Sequence, residues 1–150
     1  MILFVGRADD PVKGIEHLYE IPVDKYEIHC VGKGSLCRKD FHQYIGITNH
    51  ELAELYSKAS VLVVPSKYEA FSYAALEALS YGTPVVMSER VRIADYLKGI
   101  EGWFVFQYHN YKDFLEKIDL AFDAKVDSMS VSQIFAPEKA KKIYRDIYLS

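Results

Sequence analysis

Hydrophobic residues in this chain fall into short unbroken runs, separated by longer stretches in which they recur every three or four positions. Ile2–Val5, Val61–Val64 and Trp103–Phe106 are four-residue apolar runs, three of them ending or beginning at turn-forming residues. Runs this short, rich in β-branched and aromatic residues, predict strands buried on both faces of a parallel sheet. The full pattern predicts strands at 2–5, 26–31, 41–45, 60–64, 84–87 and 103–106. Between them it predicts helices at 13–20, 49–58, 72–81, 91–98, 111–124 and 137–148. Alternating strands and helices imply an α/β fold, a Rossmann-like open parallel sheet with helices on both faces. The closing helix, 137–148, carries Ala140, Ile143, Tyr144, Ile147 and Tyr148 at helical spacing, a stripe that must be buried. Asp127–Ser132, DSMSVS, reads as a linker.

One stretch, Ser60–Val86, carries the most chemistry. Val61–Val64 is stopped by Pro65 and Ser66, and Ser72 is placed to cap a helix through Ala74, Leu76, Ala78 and Leu79 that ends near Gly82. Pro84 then opens the next strand, where its missing N–H does no harm. Ligands of such strand–helix–strand units bind at the carboxyl ends of the strands. Lys67, Tyr68, Glu69, Ala70 and Phe71 occupy that rim, next to a helix N-terminus that favours anions. Glu77 lies eight positions after Glu69, about one and a half turns into the helix. Two glutamates at that spacing mean little alone among 21 acidic residues; the frame around them is what singles them out.

Composition narrows the classes further. The chain has 150 residues, half of them hydrophobic and 14% aromatic, which suits one domain with a real core and argues against disorder. A net charge of −3 lacks the concentrated basic character of nucleic-acid binders. No apolar run is long enough to cross a membrane, and Met1–Val5 has no basic leader in front of it. Cys30 and Cys37 show neither a disulfide framework nor zinc spacing, as in a reducing compartment. Histidines 17, 29, 42, 50 and 109 show no ligand spacing and read as packed or solvated. Gly32-Lys33-Gly34 opens like a dinucleotide fingerprint, but the third glycine would fall at Cys37. The Gly6–Gly14 segment is not a P-loop, because its lysine precedes its second glycine.

Pro65, Ser66, Glu69, Phe71, Glu77, Ala78, Gly82, Pro84 and Val85 match in register the pattern P-S-x-x-E-x-F-G-x-x-x-x-E-A-x-x-x-G-x-P-V. With Gly6, Arg7, Lys13 and Gly14 near the start, Val31–Gly34, the segment Tyr44–Ser66, and Phe135 with the closing helix, the chain resembles the retaining glycosyltransferases of family 4. The resemblance is to the C-terminal, donor-binding domain of their two-domain GT-B fold, and it covers essentially the whole chain. Two departures stand out. Ser72 replaces the family's usual glycine, and the segment between Gly34 and Phe41 leaves little room for the usual second helix.

The resemblance implies transfer of a sugar from a nucleoside-diphosphate sugar to an acceptor hydroxyl in glycan or polysaccharide biosynthesis, with no cofactor and no required metal. It gives the donor phosphates to Arg7 and Lys13, a sugar hydroxyl to Glu69 and the ribose hydroxyls to Glu77. Arg7, Lys13 and Glu69 are thus the expected catalytic groups. Ala70 and the backbone N–H groups of Phe71, Ser72 and Tyr73 would face the sugar and phosphate. The base would lie near Gly32, Lys33 and the Tyr44–Ile47 loop, where Tyr44 could stack on it or serve as a core aromatic. The N-terminal domain that would bind an acceptor glycan or glycolipid is absent from the resemblance, so the chain is expected to be either an excised piece of a longer enzyme, the favoured reading, or one subunit of a split enzyme, and inactive alone. A cytoplasmic location is expected, with peripheral membrane docking open to the absent half. A non-catalytic nucleotide-sugar-binding or regulatory subunit is the alternative.

Overall fold

A computed structural model describes residues 1–36 and 38–134. Six strands form a single sheet: β1 Ile2–Val5, β2 Ile28–Val31, β3 His42–Tyr44, β4 Val61–Val64, β5 Val85–Ser88 and β6 Trp103–Phe106. Their order is β3-β2-β1-β4-β5-β6, and every pairing is parallel. This is the Rossmann-like doubly wound arrangement that the hydrophobic pattern predicts. The helices are α1 Asn49–Lys58, α2 Tyr73–Ser80, α3 Tyr111–Phe122 and α4 Ser128–Ile134, with 3-10 helices at Ile15–Glu20 and Arg92–Tyr96.

Strand alternation divides the core in two. Leu62 and Val64 of β4 join Leu3, Val85 and Met87 under α1, α2, α4 and the Arg92–Tyr96 turn. Val61 and Val63 point the other way, joining Ile2, Phe4, Val86 and Phe106 against α3 and the Ile15–Glu20 turn. All four β4 residues are buried, as a central strand covered on both faces must be. At the sheet edge, β3 is exposed at His42 and Gln43.

Three expectations need correction. The helix expected at 13–20 is a 3-10 helix over Ile15–Glu20, because Gly14 takes a left-handed φ of 67° that no helix can continue through. The helix expected at 91–98 is likewise a 3-10 turn, Arg92–Tyr96, whose first N–H is drawn to the carbonyl of Glu69 instead of a regular helical entry. The stretch expected to be a linker is α4: the Asp127 side chain caps it by accepting from Met129 N at 3.1 Å and Ser130 N at 3.3 Å, and Val131 is fully buried. The closing helix expected at 137–148, with Phe135, lies outside the described residues, as does Cys37.

Candidate functional site

The chain winds outward from β1 to β3, then crosses over through α1 to β4 and winds the other way. The crevice between the carboxyl ends of β1 and β4 is therefore the topological switch point of the sheet. The loop after β1 carries Arg7 and Lys13; the loop after β4 carries Ser66 and Glu69.

These two loops are stitched together. Lys67 N donates to Val12 O at 2.7 Å, and Gly14 lies so close to Pro65 that a Cβ there would stand 1.8 Å from the Pro65 carbonyl oxygen. Lys13 Nζ sits 3.2 Å from Glu69 Oε2, with the two side chains 29% and 16% exposed. A half-buried pair of this kind is screened by salt much less than a surface pair. Ser66 Oγ donates to the same carboxylate oxygen at 2.7 Å.

Below the side chain, the backbone of Glu69 is pinned on both sides. Its N–H donates to Arg90 O at 3.3 Å, its carbonyl accepts from Arg92 N at 3.0 Å, and Glu69 and Val91 form an isolated parallel bridge. Ser88, fully buried at the end of β5, donates to Ser66 O at 2.6 Å. His17 is buried behind the loop, its ring nitrogens facing Gly14 O at 3.2 Å and Tyr108 O at 2.6 Å, which ties the β1 loop to the chain after β6.

Arg7 takes a different course. Its guanidinium grips Asp9 through two bonds of 3.2 and 3.1 Å, and both side chains are largely exposed. The hydrogen bond from Arg7 holds the Asp9 carboxyl below its usual range. Gly32 and Lys33 lie beside this loop, since Ala8 N donates to Lys33 O at 2.8 Å and Gly32 N donates to Tyr44 O at 2.9 Å.

Ser72 caps α2, accepting from Ala75 N at 3.2 Å, so the serine at the family's glycine position keeps the helix entry intact. The first N–H groups of α2 have no intrahelical acceptor and form the positive end of its dipole. Ala70 and Phe71 are half-buried on the approach to it, and Tyr73 is exposed with its ring edge-on to Phe71, centroids 5.0 Å apart.

Glu77 faces α1: Tyr56 Oη donates to Glu77 Oε2 at 2.9 Å. The two helices enclose a groove of about 260 Å³, lined by Asn49, Leu52, Ala53, Tyr56, Glu77 and Tyr81. Tyr44 is half-buried against the core, its hydroxyl 2.9 Å from His29 Nδ1 and its ring stacked on His29. With Ile47 it also lines a second hollow of about 240 Å³, so the ring serves both the core and an open surface.

Lys13, Glu69 and Ser66 are thus brought together, while Arg7 stands on the same loop with its own carboxylate. The Tyr56–Glu77 pairing, and any positioning role for His17 or Ser66, are absent from the sequence reading, which has His17 only as packed or solvated; it is packed. Of these only Ser66, three residues before Glu69 in the matched frame, carried a local signal.

The sequence model of the family described as Glycosyl transferases group 1 matches residues 1–123. The chain belongs to that family. This group 1 glycosyltransferase chain is 38% identical over 105 residues to an uncharacterized glycosyltransferase of Methanocaldococcus jannaschii, an overlap of 59% of the chain and 27% of the relative. It is 35% identical over 104 residues to the MMP alpha-(1->4)-mannosyltransferase of Mycolicibacterium hassiacum, covering 58% of the chain and 25% of that enzyme. The matched region is thus about a quarter of the length of these curated relatives. Among solved structures, S. aureus TarM superposes with a TM-score of 0.72 at 18% identity, over 99% of this chain and 35% of TarM, which shows a shared fold. No helix among the described residues of this glycosyltransferase chain is long and apolar enough to cross a membrane.

Proposed function

We propose that this chain is the donor-binding domain of a retaining glycosyltransferase that moves a sugar from a nucleoside-diphosphate sugar onto an acceptor hydroxyl. The observation that carries the reading is the Lys13–Glu69–Ser66 cluster in the β1/β4 crevice, beside the N-terminus of α2. TarM, which shares the fold, was solved with UDP, and that is consistent with a nucleotide site on this scaffold.

The chemistry follows from charge. Breaking the bond between sugar and diphosphate builds negative charge on the leaving oxygen, and fixed cations and helix N–H groups aimed there lower the barrier. Arg7 and Lys13 supply the cations: a guanidinium can hold two phosphate oxygens at once, and an ammonium acts as a point charge. Ala70, Phe71, Ser72 and Tyr73 would line the sugar and phosphate, and Glu69 would accept a sugar hydroxyl. Glu77 would accept the ribose hydroxyls, with the base toward Gly32, Lys33, Tyr44 and Ile47. This scheme uses no resident cofactor or metal. In the full enzyme a preceding domain would hold the acceptor, a glycan or glycolipid, and the reaction would take place in the cytoplasm.

Calorimetric titration of this chain with UDP, GDP, ADP and CMP tests the reading, repeated on an Arg7→Ala, Lys13→Ala double variant. The expected result is selective binding of one nucleotide, lost in the double variant. Equal binding by the double variant, or none by the wild-type chain, overturns the assignment of the site.

A further inference from the structure

Tyr56 is the third-turn residue of α1 and is 1% exposed, among the largest fully buried side chains of the protein. A buried tyrosine hydroxyl must find a partner. This one reaches across to the second turn of α2 and donates to Glu77 Oε2 at 2.9 Å. At its other end, the Tyr56 carbonyl accepts a hydrogen bond from Thr83 Oγ1, just past the end of α2. The ring of Tyr81 lies parallel to that of Tyr56, with centroids 5.9 Å apart and 12° between planes. Tyr56 is therefore held at its backbone, its ring and its hydroxyl, and all three partners lie on α2 or its C-terminal turn. Burial, followed by the Glu77 charge, pushes the phenol well above its ordinary range, so the hydroxyl stays a donor at every physiological pH.

Glu77 is by contrast an exposed residue on a helix surface. A free glutamate there would sample several rotamers, and holding it for a ligand would cost side-chain entropy at the moment of binding. The bond from Tyr56 uses Oε2 and settles the carboxylate in one orientation at the wall of the 260 Å³ groove between α1 and α2. Oε1 is then available to a second donor from the groove.

We infer that Tyr56 is a positioning residue: its buried hydroxyl fixes the Glu77 carboxylate so that it presents an acceptor to the vicinal hydroxyls of a nucleotide ribose. This rests on the proposed function, in which Glu77 meets the ribose. It adds to the ribose subsite a buried residue of α1, whose hydroxyl is engaged by Glu77 Oε2. Recognition of the sugar diol becomes a property of α1 and α2 packed together, not of α2 alone.

The test is Tyr56→Phe, which keeps the ring, the Thr83 bond and the Tyr81 stacking and removes one oxygen. Binding of UDP, GDP and ADP is measured by calorimetry alongside their 2′,3′-dideoxy counterparts. For the nucleotide that the wild-type chain selects, the ribose form should bind more tightly than the dideoxy form. Tyr56→Phe should lose roughly five- to tenfold in affinity for the ribose form and little for the dideoxy form. Thermal melting of the variant controls for general loosening, which would weaken both forms alike. On a Glu77→Gln background the Tyr56→Phe change should have much less effect on ribose preference, since a double-mutant cycle isolates the coupling. A Tyr56→Phe chain that keeps the wild-type ribose preference overturns the inference while leaving the donor-site reading intact. Equal binding of ribose and dideoxy forms by the wild-type chain overturns it too, by removing the diol contact. Failure of the wild-type chain to bind any nucleotide overturns both, and so separates the two cases.

Discussion

Gly14 is where the two halves of the candidate site touch, and replacing it tests whether that contact organises the site. Its φ is 67°, and an added Cβ would stand 1.8 Å from Pro65 O and 2.8 Å from Pro65 C, both backbone atoms. Ordinary contact begins near 3.4 Å. Gly14→Ala therefore forces the loops after β1 and β4 apart by more than an ångström. Gly82 is the built-in control: it also has a left-handed φ, 80°, at the C-terminal turn of α2, but a Cβ there meets nothing within 4 Å. The left-handed conformation costs a non-glycine residue about 1–2 kcal/mol. For a domain of this size that lowers Tm by roughly 3–6 °C in Gly82→Ala. Gly14→Ala bears the same cost and in addition strains the Lys67–Val12 and Lys13–Glu69 bonds, about 1 kcal/mol each. The total is about 3–4 kcal/mol, or a fall of roughly 10 °C. Thermal unfolding followed by circular dichroism reads both variants, and nucleotide titration reads the site. Gly82→Ala should keep wild-type nucleotide affinity, and Gly14→Ala should lose it. Equal melting losses in the two variants, or full nucleotide affinity in Gly14→Ala, would refute the claim that this contact holds the site together.

The remaining predictions concern the rest of the molecule. Val131→Ala, at the fully buried anchor of α4, should cost about 2 kcal/mol and lower Tm by roughly 4–8 °C, whereas Met129→Ala, 72% exposed on the same helix, should change it little. If both changes are silent, α4 does not pack on the domain in solution. His29 should make stability pH-dependent: burial first, then the neighbouring His42, lowers its pKa, against an opposing pull from Glu27. Below about pH 6.5 the unfolded chain then binds a proton that the native chain does not, so stability falls as pH falls through that window. Denaturant titrations across pH 5–8 should show this slope flatten in His29→Phe; an unchanged slope would assign it to other groups.

Strands were the most legible part of the sequence. β1, β4 and β6 are short apolar runs bounded by Gly, Pro or Ser, and a strand with both faces covered, as β4 is, has little place for a polar residue to blur the pattern; β3, His42–Tyr44, is polar because it lies at the exposed sheet edge. The helix boundaries at 49–58 were equally clear, because Thr48 and Glu51 form a capping box visible as Thr-x-x-Glu. The Ile15–Glu20 turn was misread as a regular helix because its length is set by Gly14 and Pro22 and by contacts to distant loops. DSMSVS was misread because serine-rich composition resembles a linker; what makes it helical is the Asp127 cap and a single valine entering a pocket next to α2. At the candidate site, Lys13 and Glu69 could be read from their motifs, although 56 residues separate them. Tyr56 could not, because its pairing with Glu77 depends on how α1 settles beside α2, which no local spacing encodes.

The charges of the candidate site fit together in a way that bears on the proposed function. Both candidate phosphate-binding cations already have a carboxylate: Arg7 has Asp9, and Lys13 has Glu69. An incoming diphosphate would then exchange anions instead of adding a charge to a bare cationic pocket. The two carboxylates are not equivalent in this exchange. Asp9 is on an exposed loop and can swing into water. Glu69 cannot, since its backbone is bonded to Arg90 and Arg92 and its side chain to Ser66. If Lys13 turns to phosphate, as the proposed function requires, Glu69 would stay in place with acceptor capacity released at Oε2. In the proposed function a sugar hydroxyl on the same donor would use it. Phosphate binding would thereby prepare the sugar subsite, and one lysine would couple recognition of the two parts of the donor whose connecting bond is to be broken.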